Sequence, residues 1–336
     1  GLWLAHAGLT RHSVRTLFGR HHDVERPHLY MMQPYDPQRH VIVMLHGLAS
    51  SPEAWVNLAN EVLGDEILRE HFQVWQVYYP TYMPISFTQD AVRGVITDTL
   101  RAFDPGGRAP ASRDMVLIGH SMGGVVARLL VSSSGDRLWN WVREDLQLDD
   151  EKVRRTREEL APMLHFESLA VVGRAIFIAA PHRGTDAANR QYARWIAKFV
   201  RLPQTIMEEF EEYRRELGDA QRGKSDRGLR RVPNSIDSLN EADPFLRVAA
   251  TLPISPSVRY HSIIARTTAA GPLEQSGDGL VPYWSAHLEG AESEKVIVSG
   301  HRVQETPAAV LEIRRILHAH IEERILQQQQ EQSAPQ

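Results

Sequence analysis

The chain of 336 residues contains no cysteine, which excludes disulfide bridges and thiolate metal sites and leaves the redox compartment open. It also lacks any apolar run close to the roughly 20 residues that a membrane-spanning helix needs. Neither sign of charge dominates, because 38 basic side chains face 42 acidic ones for a net charge of −4. A surface so balanced offers no footprint for a phosphate backbone, so no nucleic-acid partner is expected. No internal repeat is visible, and no cluster of metal ligands stands out, so neither a metal nor another cofactor is expected. The first residue is Gly1 rather than Met, which points to processing or trimming. The segment Leu2-Trp3-Leu4-Ala5 is short and lacks the basic flank of an intact signal peptide, and the compartment stays open.

What is present is a globular composition, 42% hydrophobic and 24% charged, laid out as alternating strands and helices. Val41-Ile42-Val43-Met44-Leu45, Phe72 to Tyr79, Met115-Val116-Leu117-Ile118 and Arg174 to Ala180 are near-continuous apolar runs. Runs of that kind fit strands buried on both faces. Val258 to Ala265 and Lys295 to Val298 add two more strands, and Leu29 to Met32 an edge strand. Between them the patterning predicts helices over 52–63, with Ser51 as N-cap and Pro52 at the first position, over 90–103, and after Ser121. The 90–103 helix should bury Ala91, Val95, Leu100 and Phe103. A last helix is expected over 306–326. The alternation argues for a parallel α/β sheet in one domain over 1–326.

Two stretches interrupt it. Residues 136–168 are rich in charge and read as one or two inserted surface helices, and residues 185–250 read as a longer helical insertion. Within the second, Tyr192, Trp195, Ile196, Phe199 and Leu202 fall on one helical face, opposite Arg190, Arg194, Lys198 and Arg201. Thr205 with Glu208 suits a capping box, and Asp243 with Pro244 suits a helix start. Residues 1–27 read as an irregular lead-in, and the Gln-rich residues 327–336 as a disordered tail.

The most informative stretch is Gly119-His120-Ser121-Met122-Gly123-Gly124, directly after the run Met115 to Ile118. It fits G-x-S-x-G between a strand and a helix, where a serine on a sharp turn needs very small neighbours two residues away on each side. A serine hydroxyl is a weak nucleophile unless a base takes its proton and an acid orients that base. In a parallel sheet the partners should come from loops after strands. Asp278, in Gly277-Asp278-Gly279-Leu280-Val281-Pro282, and His301, in Ser299-Gly300-His301, meet that condition. With 16 histidines in the chain, His287 and His182 compete with His301, and Asp243 and Asp226 with Asp278. Position after the final strand favours His301, and position outside the helical insertion favours Asp278. An oxyanion needs two backbone N–H donors, which Met122 and Leu48 of His46-Gly47-Leu48 are placed to supply.

On these motifs, together with Ala180-Pro181-His182-Arg183-Gly184, the chain resembles the α/β-hydrolase superfamily in its lipase and carboxylesterase branch. It is also similar to lipase-like groups near the GPI-inositol deacylases and lecithin:cholesterol acyltransferases. The resemblance implies an eight-stranded sheet, an acyl-enzyme mechanism and a helical lid over the site. It therefore implies a serine hydrolase of carboxylic esters, with Ser121 as nucleophile, His301 as base and Asp278 as its orienting acid. Trp195, Ile196 and Phe199 would lie nearest the acyl chain. Expected partners are a small-molecule or lipid ester, with contact to a lipid interface or a polymer surface left open. Acyl transfer to an alcohol, amide or polyester hydrolysis, and a non-catalytic binding module are the rival readings.

Overall fold

The fold is seen in a computed structural model, which describes residues 27–81, 83–145, 161, 163–185 and 237–333. Seven strands form one sheet: β1 (His28–Met31), β2 (His40–Leu45), β3 (Phe72–Tyr78), β4 (Met115–His120), β5 (Val172–Ile178), β6 (Arg259–Arg266) and β7 (Ser293–Val298). Their spatial order is β1-β3-β2-β4-β5-β6-β7, and every pairing except β1 with β3 is parallel. The sheet resembled on sequence has eight strands; among the described residues there are seven.

Side-chain alternation explains how the sheet is covered. On β2, Val41, Val43 and Leu45 join one core cluster while Ile42 and Met44 join another. The same split occurs on β4, with Leu117 on one face and Val116 and Ile118 on the other. Helices α1 (Val56–Gly64) and α2 (Glu66–His71) help fill the second cluster, through Leu58, Val62 and Leu68. Helices α3 (Ile85–Phe103) and α4 (Met122–Leu130) fill the first, through Val92, Ile96, Val126 and Leu130. Both strand faces are dry, which is why these strands read as unbroken apolar runs.

The remaining helices are α5 (Arg137–Asp145), α6 (Pro244–Ala249), the short α7 (Tyr283–Ala286) and α8 (Pro307–Ser333). The charged stretch near 136 is less superficial than its composition suggests, because Leu138, Trp139 and Val142 of α5 are buried in the core. Helix α5 also meets α6, with Trp141 edge-on to Phe245 at 6.4 Å between ring centroids.

Four expectations are corrected. Helix α3 begins at Ile85, not at 90, because Pro84 sits at its N-cap, where a missing N–H does no harm. Its buried face is consequently Ile85, Val92, Ile96 and Leu100, and Phe103 is exposed. Ser51 precedes a 3₁₀ turn (Pro52–Trp55) but makes no side-chain capping bond. Helix α8 runs to Ser333, so most of the segment read as a disordered tail is helical. Its glutamines and glutamates are good helix formers, and propagation from a docked helix is far easier than nucleation.

Candidate active site

The carboxyl ends of β2, β4 and β5 lie side by side, with Leu45 level with Gly119, and His120 level with Ile178. The chain leaves β4 through a turn so sharp that Ser121 is held at φ +54°, ψ −125°, a conformation that side chains other than glycine rarely adopt. The neighbouring glycines make that turn possible. A Cβ on Gly119 would collide with the Gly123 carbonyl, and one on Gly123 with the Leu45 carbonyl. A Cβ on Gly124 would strike the Ala180 side chain, so α4 could no longer lie against β5.

Two loops converge on that serine. The Ser121 hydroxyl is 2.8 Å from Nε2 of His301, and Nδ1 of His301 is 2.7 Å from Oδ2 of Asp278. Asp278 is held independently, since its Oδ1 accepts the N–H groups of Leu280 (2.9 Å) and Val281 (2.7 Å). Its side chain is almost completely buried, whereas that of His301 keeps 18% of its surface exposed. The three residues singled out from loops after strands thus form one chain of hydrogen bonds, across a sequence separation of 180 residues.

The competing residues sit elsewhere. His287 bonds Glu294 at 2.6 Å and stacks on Tyr283. His182 is fully buried against Phe177, and among the described residues neither ring nitrogen has a hydrogen-bond partner. Burial, and then the charge of Arg128, holds the His182 ring well below the usual histidine range. Asp243 caps α6 by accepting the Leu246 N–H at 2.7 Å. Asp226, the Thr205–Glu208 pair and the stripe of Trp195, Ile196 and Phe199 lie outside the described residues.

Met122 is the first residue of α4, and Leu48 lies in the turn after β2. Among the described residues neither backbone N–H has a hydrogen-bond acceptor. Two donors beside a helix N-terminus favour negative charge. The loop that carries Leu48 is braced by a side chain that the sequence did not single out, Tyr79. Its hydroxyl donates a short hydrogen bond to the His46 carbonyl, and its ring stacks on His46 at 4.2 Å. The His46 Nδ1–H in turn donates to the Gly47 carbonyl at 3.0 Å, while Nε2 accepts the Tyr79 N–H at 3.4 Å. Burial pushes the His46 imidazole down to about 4, so it stays neutral. Nothing in the periodicity marks Tyr79; its position just before Pro80, at the end of a strand, is the only signal.

Among the described residues no group of three or more His, Asp or Glu side chains is arranged to hold a metal ion. No described helix is long and apolar enough to cross a membrane.

Fold, elbow and hydrogen-bond relay together describe a class, and comparison with known sequences names it. The chain belongs to the Alpha/beta hydrolase family, whose profile matches residues 42–313. Comparison with curated proteins gives no match. Among solved structures, the chain is similar to a Bacillus licheniformis lipase, BlEst2, at 15% identity and TM-score 0.44, over 82% of this chain and 91% of that one. It is also similar to a thermostable carboxyl esterase from Bacillus coagulans, at 11% identity and TM-score 0.44, over 88% and 94% of the two chains. An esterase from Exiguobacterium antarcticum aligns at 13% identity and TM-score 0.41, over 88% and 94%. The family assignment rests on the profile match and not on these three likenesses.

Proposed function

We propose that the protein is a serine hydrolase of carboxylic esters that works through an acyl-enzyme. The observation that carries this reading is the unbroken relay from the Ser121 hydroxyl through His301 to Asp278, at 2.8 and 2.7 Å. With His301 neutral, its Nδ1–H donates to Asp278 and its Nε2 accepts the serine proton. Ser121 Oγ attacks the acyl carbon while its proton passes to Nε2. The resulting oxyanion is received by the N–H groups of Leu48 and Met122. Collapse breaks the ester C–O bond, and the same Nε2–H protonates the departing alcohol. Water then repeats the sequence, and the acid leaves with Ser121 restored. Asp278 stays ionised throughout, fixing the imidazole tautomer and stabilising the imidazolium.

Substrate selection is assigned to the two insertions. The longer one is rooted beside the site, where Thr185 N–H donates to the Leu239 carbonyl and the Glu241 N–H to the Thr185 carbonyl. Arg128 of α4 holds the far root by donating to the Ala250 and Leu252 carbonyls. The sequence between these roots carries the stripe of Trp195, Ile196 and Phe199, which is proposed to receive an apolar acyl group. A panel of p-nitrophenyl esters from acetate to palmitate tests the reading. Saturable hydrolysis that is lost on treatment with a fluorophosphonate is expected; hydrolysis of none of them, by folded protein, would contradict it.

A further inference from the structure

The motif places a histidine, His120, between the first glycine and the serine, and the relay described above does not use it. Its side chain is 6% exposed and lies in the angle between three loops. Nε2 is 2.8 Å from the main-chain carbonyl of His301. A carbonyl only accepts, so Nε2 carries the proton and Nδ1 is the bare nitrogen. Among the described residues Nδ1 has no partner, and it faces Gly47, whose added Cβ would come within 3.1 Å of it. The imidazole also packs on that of His301, with 5.0 Å between centroids. One ring thus touches the turn that carries the serine, the loop that carries the base and the loop that carries the Leu48 donor.

We infer that His120 is a positioning residue for the base: its Nε2–H anchors the His301 carbonyl and so fixes the imidazole at hydrogen-bond distance from the serine. The physical need is plain. His301 sits on a loop, its backbone neighbour Gly300 has open space around it, and its own side chain is partly exposed. Asp278 and Ser121 hold the two ring nitrogens, but the ring can still shift wherever its loop backbone moves. A second anchor, on the backbone of the same residue, removes that freedom. Burial, with the charge of His301 as the next cause, pushes His120 down to about 3, so when the reaction protonates His301 the anchor stays neutral and keeps its donor. A buried imidazole with one nitrogen unpaired is a net burden on the fold, and anchoring the base accounts for its presence in a buried position.

The inference rests on Ser121 being the nucleophile, and its test separates the two. The full-length chain is labelled with a fluorophosphonate, which reads serine nucleophilicity without any assumption about the natural ester. His120→Met removes the donor but keeps apolar bulk. In His120→Gln the side-chain nitrogen is as many bonds from Cβ as Nε2 of histidine, so the bond to the His301 carbonyl can reform. The Met variant is expected to be labelled about 10–100-fold more slowly than wild type, with kcat on p-nitrophenyl butyrate falling and KM little changed. The Gln variant is expected to return to within about threefold of wild type. Equal melting temperatures for the two variants would exclude a merely structural effect.

Labelling of the Met variant at the wild-type rate would overturn the inference, as would a Gln variant as slow as Met but equally stable. Should the Met variant fail to fold, the Gln variant decides alone, since a folded Gln variant slowed about a hundredfold would be contradictory. Failure of the wild-type chain to label at Ser121 would instead remove the nucleophile on which the inference stands.

Discussion

The two ends of the sheet use the same polar residues in opposite ways. At the carboxyl end the groups are under-committed: Ser121 sits in strained backbone, two N–H groups lack acceptors, and His301 keeps a solvent-facing edge. At the amino end the ionisable groups are tied into one network. Arg174, at the start of β5, is 1% exposed and donates to His320 Nδ1 at 3.0 Å, to Glu323 at 2.5 Å and to His261. With Nε2 accepting from Arg174, His261 donates its Nδ1–H to Ser293 Oγ at 2.8 Å, and Arg259 braces Glu323 at 2.7 Å. Both regions contain buried histidines, and the carboxyl end adds a partly exposed one, His301, hydrogen-bonded between Ser121 and Asp278. One end holds α8 to the sheet; the other retains the strain and open donors that chemistry needs.

The comparison is broken most sharply by removing the serine. Ser121→Ala should lower ester turnover by about 10⁴ to 10⁶ while the melting temperature holds, because the change removes one buried oxygen from an already strained turn. His301→Ala should cost a comparable factor, and His287→Ala, which removes a ring bonded to Glu294 and Tyr283, far less. The opposite ranking of the two histidines would move the base to His287.

Arg174→Met should give the converse pattern. It strips His261 and His320 of their donor and should lower stability by about 3 kcal/mol, leaving kcat on a short ester unchanged below the melting transition. Denaturant unfolding and steady-state kinetics on one preparation check both halves. A loss of kcat without loss of stability would show that the two ends are not independent.

Acid should weaken both ends together. Burial, helped at His261 and His320 by the charge of Arg174, pushes several imidazoles down, among them His46 and His261 to about 4 and His120 and His320 to about 3. Unfolded, each would titrate near its ordinary value of about 6.5, so the unfolded chain binds protons first. Their contribution to stability is therefore complete above about pH 6.5 and is lost progressively as pH falls toward 4 and 3. At pH 5 a fully buried one such as His46 or His120 should already cost about 2 kcal/mol. Unfolding free energies across pH 4–8 should show that decline, and a flat profile would mean the rings are not held neutral.

Much of this was legible in the sequence, for identifiable reasons. Strands buried on both faces must be continuous apolar runs, so Val41 to Leu45 and Met115 to Ile118 announced the sheet. The elbow was legible because sterics leave glycine no substitute at 119 and 123. Asp278 and His301 could be picked from their rivals because a parallel sheet gathers such residues after strands. What escaped was set by tertiary packing. The start of α3 at Ile85 was hidden by a proline that reads as a break, and the helical continuation of α8 by composition. The bracing by Tyr79 and the anchoring by His120 depend on which loop each ring meets, and spacing does not encode that.

The smallest effect is expected at the insertion. Replacing Trp195 and Phe199 together by Ala should change the ratio of kcat/KM on long and short esters several-fold. Each methylene that finds apolar surface is worth about 0.8 kcal/mol. An unchanged chain-length profile with lowered stability would assign the stripe to ordinary core.

The central claim, that Ser121 is the nucleophile activated by His301, is tested most directly by locating a covalent adduct. The wild-type chain is treated with a fluorophosphonate, digested and read by mass spectrometry. The account predicts a single stoichiometric adduct on Ser121, formed in step with loss of esterase activity and absent from Ser121→Ala and His301→Ala. An adduct on another residue, or full inactivation with Ser121 unmodified, would contradict it.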